Sequence, residues 1–303
     1  MKLCKPLFEI WEQSASLEGV YKQIEKVGRV CYKSEDKITE DSAKPFVDRM
    51  IKSGHGAMLE HGTVYLAMPM ETILPIEANG WGKYTKNPYS KGFKVCEVDG
   101  QKRVAVTTNL RVLVENGWLD DLQYICEPTE FHERRITVHF VCDRGVSHEF
   151  VRHRVMSFAQ ESTRYCNYSK DKFGNELTFI KPCWLDIPTG QYVYWDGDWC
   201  DINKMKIQLP EGEHKDIDAF LWTLNNAETH YTLLINSGWK PQEARAVLPN
   251  SLKTELVVTG FTSDWNHFFD LRARGTTGAP HPQAKELAEP LMKEFITRNY
   301  IDN

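Results

Sequence analysis

No run of about 18 consecutive apolar residues occurs in this chain, so no segment of it reads as a membrane-spanning helix. Its first residues, Met1-Lys2-Leu3-Cys4-Lys5-Pro6, lack the apolar core of a secretory signal, and the sequence reads as that of a cytoplasmic protein. Nor is there a C-x-x-C pair among the eight cysteines, Cys4, Cys31, Cys96, Cys126, Cys142, Cys166, Cys183 and Cys200. Structural zinc draws on such closely spaced ligands, so the expectation is free thiols and no metal. An excess of positive charge is also missing: 37 Lys and Arg against 42 Asp and Glu leave a net charge of −5. That balance argues against a general nucleic-acid binder, whose affinity rests on neutralising many phosphates. Any anion site must be a local cluster.

What is present fits a globular fold of 303 residues, 41% hydrophobic and 26% charged. Leu17, Val20, Ile24, Val27 and Cys31 recur at helical spacing over 16–31. A second helix is expected after Thr39, with Glu40 and Asp41 near its start, Phe46, Met50 and Ile51 on its apolar face, and Gly54 after it. Thr63–Met68 reads as a strand, 93–108 as a hairpin around Asp99-Gly100, and Ile136–Cys142 as an alternating strand. Residues 145–154 read as helical, and 184–215, rich in Trp, Asp, Gly and Pro, as a long surface excursion. Helices are expected over 216–237, from Pro241 to before Pro249, and over 263–273 and 283–299, with a strand at 254–259. No repeat or linker divides the chain. The reading is one α+β domain over 1–303, a mixed or antiparallel sheet flanked by helices.

The densest chemical signal is His148–Tyr165, which holds three arginines, two histidines, two serines and a glutamine. Arginine presents a planar fork of donors suited to phosphate and to a pyrimidine edge. Apolar residues are interleaved with these charges, which distinguishes the stretch from a plain solvated face. His148-Glu149 with His153 imitates the zinc-protease H-E-x-x-H, but the second histidine comes one residue late. A five-residue step turns the two rings roughly 140° apart on a helix, so they do not share a metal.

Arg152-His153-Arg154, seven residues, then Ser162 and Arg164-Tyr165 resembles the R-H-R-x7-S signature of the flavin-dependent thymidylate synthases. Upstream, Gly28–Tyr32 and Gly54–His61 resemble two further blocks of that family. Downstream, Glu243–Pro249 and His267–Arg272 resemble two more, so the likeness runs from about residue 20 to 297. Relative to compact members, the chain carries insertions at about 69–135 and 184–215.

The resemblance implies a homotetramer with sites at subunit interfaces, binding FAD, oxidising NADPH, and moving a one-carbon unit from methylenetetrahydrofolate onto dUMP. It implies that Glu149, Arg152, Gln160, Glu161, Ser162, Thr163 and Arg164 line the dUMP site, with Arg245 supplied by a neighbouring subunit. Arg272 and Ser162 would be catalytic, Arg272 by polarising the uracil carbonyls. Ala57, Arg152, His153, Arg154, Gln160 and His267 would hold FAD, with His55, Glu60 and His281 at the flavin–folate face. The loop Gly275–Pro280 reads either as a plain turn or as an anion loop. Family members often carry a small hydroxyl residue at Ala57, and Asn and Arg where this chain has Phe261-Thr262-Ser263. Asn109 and Arg111 are the expected replacements for that missing phosphate grip.

Two other classes fit parts of the pattern. A nucleotide- or RNA-binding module would use the arginine cluster alone and would be colourless. A pyrimidine methyltransferase with a cysteine nucleophile would use Cys166, two residues past Arg164. The resemblance argues against a catalytic Cys166.

Overall fold

The computed structural model describes residues 1–73, 82–98, 100–170, 173–210 and 215–302. The chain opens with strands β1 (Lys2–Cys4) and β2 (Leu7–Trp11) and helix α1 (Leu17–Tyr32). Helix α2 (Ala43–Lys52), the single turn α3 (Gly56–Leu59), strand β3 (Thr63–Pro69) and turn α4 (Met70–Ile73) follow. A hairpin of β4 (Lys91–Val98) and β5 (Gln101–Asn109) leads into α5 (Leu110–Asn116), β6 (Arg135–Asp143), α6 (Arg144–Phe150) and β7 (Ser157–Gln160). Short strands β8 (Thr178–Ile180), β9 (Gly190–Gln191), β10 (Val193–Trp195) and β11 (Asp198–Cys200) precede the long helix α7 (Lys215–Asn236). The chain finishes with α8 (Pro241–Ala244), β12 (Lys253–Phe261), α9 (Thr262–Phe269) and α10 (Pro282–Thr297).

The central sheet is antiparallel throughout, in the order β2-β6-β12-β7. Its two faces follow from the two-residue period of a strand. Ile136, Val138, Phe140 and Cys142 of β6 join Leu256 and Val258 of β12 on one face, packed against α9 and α10 through Trp265, Phe268, Leu287 and Phe295. Val257 and Ala159 point the other way, onto Trp11 and the Val27–Val30 side of α1. Helix α1 forms where its apolar period predicts. The Ser16 hydroxyl accepts from the Gly19 N–H at its start, and Lys33 ends it in a left-handed conformation at φ 47°. Gly28 lets α1 meet α2, since a Cβ there would lie 2.5 Å from the Phe46 ring.

A second antiparallel sheet, β3-β5-β4, carries the first insertion and packs with α1, α2 and α5. Gly100 of its turn sits at φ 73°, while Asp99 lies outside the described residues. A third sheet, β8-β1-β9, joins β1 to β8 in parallel and to β9 antiparallel, and covers α7. The fold is therefore α+β, with mixed and antiparallel sheets flanked by helices.

Three expectations need correction. Residues 184–215 are not merely a surface excursion. Ile187, Tyr192, Trp199 and Cys200 are buried, the first three of them in the core against α7, and β10 and β11 form a hairpin. The helix expected over 145–154 ends at Phe150, because the chain turns there before entering β7. The helix expected over 263–273 ends at Phe269, and Asp270–Arg274 continues as a π-helical turn closed by Gly275 at φ 71°. Residues 211–214 of the second insertion and 74–81 of the first lie outside the described residues.

Candidate active site

Two helices leaving opposite ends of the β6–β12 pair fold back over the same face and meet. Asp143 caps α6 through its side chain, accepting from the Val146 N–H at 2.7 Å, and so fixes where Glu149 projects. Phe261 leads from β12 into α9, which carries His267, and the π-helical turn beyond it carries Arg272. Phe150 of α6 packs edge-on against Phe268 of α9, with ring centroids 4.9 Å apart. This contact brings residues more than a hundred positions apart into one cluster.

At its centre the Arg272 guanidinium donates three hydrogen bonds. One terminal nitrogen reaches a Glu149 carboxylate oxygen at 2.6 Å, and the other reaches the Glu149 carbonyl at 3.0 Å. The Nε–H donates to His153 Nε2 at 3.0 Å. His153 is buried and lies 6.0 Å, centroid to centroid, from His267. Burial, then the positive charge of Arg272, then His267 push its pKa down to about 4, so the ring is a neutral acceptor near neutrality. Arg272 does not pair with Asp270, two residues before it in the chain. Asp270 pairs with Arg274 at 3.0 Å.

Arg152 and Arg154, on either side of His153, and Arg164 are exposed and make no ion pair among the described residues. Arg164 lies over the Tyr165 ring at 5.4 Å, and Tyr165 lies 5.1 Å from Tyr32 of α1. Ser162 is tied to α1 by its N–H, which donates to the Cys31 carbonyl at 3.0 Å. Arg245, expected from a neighbouring subunit, donates to the Thr163 hydroxyl of its own chain at 3.1 Å. Gln160 is held by Ser147 at 2.8 Å and Thr254 at 3.2 Å.

Some predicted residues are committed elsewhere. Glu161 is buried, and its two oxygens accept from Tyr168 at 2.8 Å and Lys253 at 3.0 Å. Lys253 also pairs with Glu255, which pairs with Lys33 and His139. Glu60 is ion-paired to Arg111. His281 precedes α10 and meets Trp184 edge-on at 5.9 Å. His55 and Ala57 are exposed at the start of α3. Of the expected replacement grip, Asn109 Oδ1 caps α5 by accepting from the Val112 N–H while its Nδ2 has no hydrogen-bond partner among the described residues, and Arg111 pairs with Glu60 and with Glu115 at 2.7 Å. Cys166 is a buried thiol at 1% exposure, packed in the core against α7. All eight cysteines are free of disulfides, and no metal-holding cluster occurs among the described residues.

Sequence reasoning missed Arg135. Its guanidinium is buried and donates to the Glu60 carbonyl at 2.9 Å and to Ser157 at 3.3 Å, joining the α3 segment to β7. A lone arginine heading a strand carries no local signal for this. The donor set fits an anionic cofactor: unpaired Arg152 and Arg154 flank a fixed, neutral His153, with exposed His267 beside it.

Comparison with known proteins agrees with this region. Residues 101–298, roughly two thirds of the chain, match the family described as thymidylate synthase complementing protein. The flavin-dependent thymidylate synthase of Pyrococcus furiosus is 30% identical over 163 residues, 53% of this chain and 53% of that protein. The enzyme of the same name from Geobacter sulfurreducens is 26% identical over 129 residues, 43% of each chain. The chain thus spans about half the length of the curated relatives it matches. Among solved structures, a UMP/dUMP methylase, PolB from Streptomyces cacaoi, aligns over 98% of this chain and 93% of its own at 18% identity, with a TM-score of 0.43. On the match over 101–298, which contains the whole Arg272–Glu149–His153 cluster, the chain belongs to the thymidylate synthase complementing protein family, that of the flavin-dependent thymidylate synthases.

Proposed function

We propose that this protein is an enzyme that methylates dUMP to dTMP, with methylenetetrahydrofolate as carbon donor and FAD reduced by NADPH. The balance is one dUMP, one methylenetetrahydrofolate, one NADPH and one proton giving dTMP, tetrahydrofolate and NADP⁺. The C5 hydrogen of the uracil leaves as a proton as the C5–CH₃ group is completed. Bound flavin would supply the hydride, which no side chain carries.

The observation that carries this reading is the state of Arg272. A guanidinium has five N–H donors, and three are taken by Glu149 and His153, which leaves two. Those two sit on a fork that is already oriented, half-buried and aimed by its partners. They suit the O–N–O edge of a uracil ring, where they favour the polarised or N3-ionised form and make C5 nucleophilic. Because Glu149 cancels the net charge of Arg272, the arginine acts by directed donors. Surplus positive charge for phosphates comes from Arg152, Arg154, Arg164 and Arg245. Ser162, fixed to α1, would touch nucleotide phosphate or sugar. Arg152, His153, Arg154, Ala57, Gln160 and His267 would face the flavin, and His55, Glu60 and His281 its folate side.

The chain is read as one domain assembling into a homotetramer in the cytoplasm. Exposed Trp184, Trp195 and Trp239 are surfaces of the kind that oligomers cover. No helix among the described residues is long and apolar enough to cross a membrane. The test is colour: the purified protein should be yellow and should bleach when NADPH is added without oxygen. A colourless protein that takes up no added FAD would end the proposal.

A further inference from the structure

Between the ends of α1 and α2 lies a cleft of about 780 Å³, of whose lining only His55 has been given a role above. Its lining carries five cations against a single carboxylate, Asp36, in a protein whose net charge is −5. Two of the five are neutralised from below. Arg29 pairs with buried Glu25, and Lys33 pairs with Glu35 and Glu255. The other three, Lys37, Arg49 and Lys52, are exposed and make no ion pair among the described residues. Tyr32 and His55 are also in the lining. Tyr32 is the ring that meets Tyr165 of the arginine motif at 5.1 Å, so the cleft begins where the candidate site ends.

A cationic cleft bordering a site suits a ligand with its reactive part in the site and a chain of negative charges trailing from it. Phosphate would be met by clustered forks at one point. Here single charges are spread over a helix end, a turn and a second helix, which suits carboxylates spaced along a flexible tail. We propose that this cleft binds the glutamyl tail of the folate substrate and selects for folates extended by γ-linked glutamates. Each added glutamate brings one α-carboxylate to Lys37, Arg49 or Lys52, and Tyr32 and Phe46 give the aliphatic links an apolar wall. The inference rests on the folate reading above.

The test compares monoglutamyl with pentaglutamyl methylenetetrahydrofolate on the full chain and on an Arg49→Gln, Lys52→Gln double variant. Both residues are exposed, so the fold should be retained, and flavin content checks this. Several screened charge contacts should lower the KM of the long-tailed folate about tenfold in the unaltered protein. That advantage should vanish in the double variant, with the KM for dUMP and for the monoglutamyl folate unchanged. Equal KM values in the unaltered protein, or an advantage that survives the double substitution, would overturn the inference. Calorimetry with free penta-γ-glutamate separates this from failure of the folate reading itself. If neither folate yields dTMP but the peptide binds, and binding is lost in the variant, the cleft stands as an oligocarboxylate site and only the reaction is wrong. No binding of the peptide, or its displacement by single-stranded RNA at lower concentration than by pentaglutamyl folate, would overturn the inference.

Discussion

Glu149 and Arg272 stand 123 residues apart in the chain and form a 2.6 Å ion pair, with the Glu149 carbonyl accepting a second bond from the same guanidinium. The pair fixes both the direction and the donor count of the arginine. Arg272→Lys should therefore fail almost as badly as Arg272→Ala, because an ammonium keeps the charge and loses the fork. Both should lower turnover by about 10²–10³-fold, the usual cost of removing a directed donor. Rescue of a thymidine-requiring host should be lost in both. A lysine variant with near-normal turnover would show that charge alone suffices.

His153 accepts the Arg272 Nε–H only while it is unprotonated. Its pKa is held at about 4, below the usual value near 6.5, so between these values the unfolded chain binds more protons than the folded one. Stability should then be fully present above about pH 6.5 and decline as pH falls toward 4. The loss traceable to this ring should be on the order of 1–3 kcal/mol. Urea unfolding at pH 7 and pH 5, in the unaltered protein and in His153→Gln, checks this. The variant should show a shallower pH slope, and an identical slope would contradict the assignment. His61, pushed down to about 3 by burial and by Arg135, should contribute in the same direction in both proteins.

Glu161 illustrates how a motif residue turns out to serve the scaffold. Both of its oxygens are taken by Tyr168 and Lys253, in a network that also holds Glu255. Replacing it with alanine leaves Lys253 with one partner fewer in a buried setting and should cost about 3–5 kcal/mol. Thermal unfolding should register that loss. The KM for dUMP, measured on protein that remains folded, should change far less than in Ser162→Ala.

Cys166→Ala should keep its turnover and its flavin content. The thiol is buried in the core beside α7, so the expected effect is a modest loss of stability, about 1–2 kcal/mol. Full loss of turnover with normal flavin would restore the cysteine-nucleophile reading.

Arg111→Ala should leave flavin affinity unchanged. Its guanidinium is engaged by Glu60 and Glu115. Fluorescence titration of the flavin decides this, and a weakened affinity would return Arg111 to the phosphate grip.

Much of the fold was legible because its elements follow one period each. The alternation of Ile136–Cys142 and the helical spacing of Leu17–Cys31 correspond to β6 and α1 with small shifts in their ends. Short strands such as β1 and β7 were missed, since three or four residues carry too little period to stand out and exist only because a partner strand pairs with them. The buried role of residues 184–215 was hidden for a related reason: Trp199 and Tyr192 find their core only in α7, which lies later in the chain. The arginine motif was visible as a cluster of residue types. Which arginine is held and which is free was not, because that depends on Glu149 and His153 meeting Arg272 through the Phe150–Phe268 contact. Glu161 and Ser162 are adjacent in sequence, and only tertiary partners separate their roles.

The central claim is that the donors of Arg272 and the surrounding arginines hold a uracil nucleotide for methylation beside a flavin. The most direct measurement is an oxygen-free incubation of the purified protein with dUMP, methylenetetrahydrofolate, FAD and NADPH, followed by mass analysis of the nucleotide. The expected result is dTMP in one-to-one amount with NADPH oxidised, formed about 10²–10³-fold more slowly by the Arg272→Ala variant. Unchanged dUMP with a flavin-loaded protein, or dTMP formed equally fast by the variant, would contradict it.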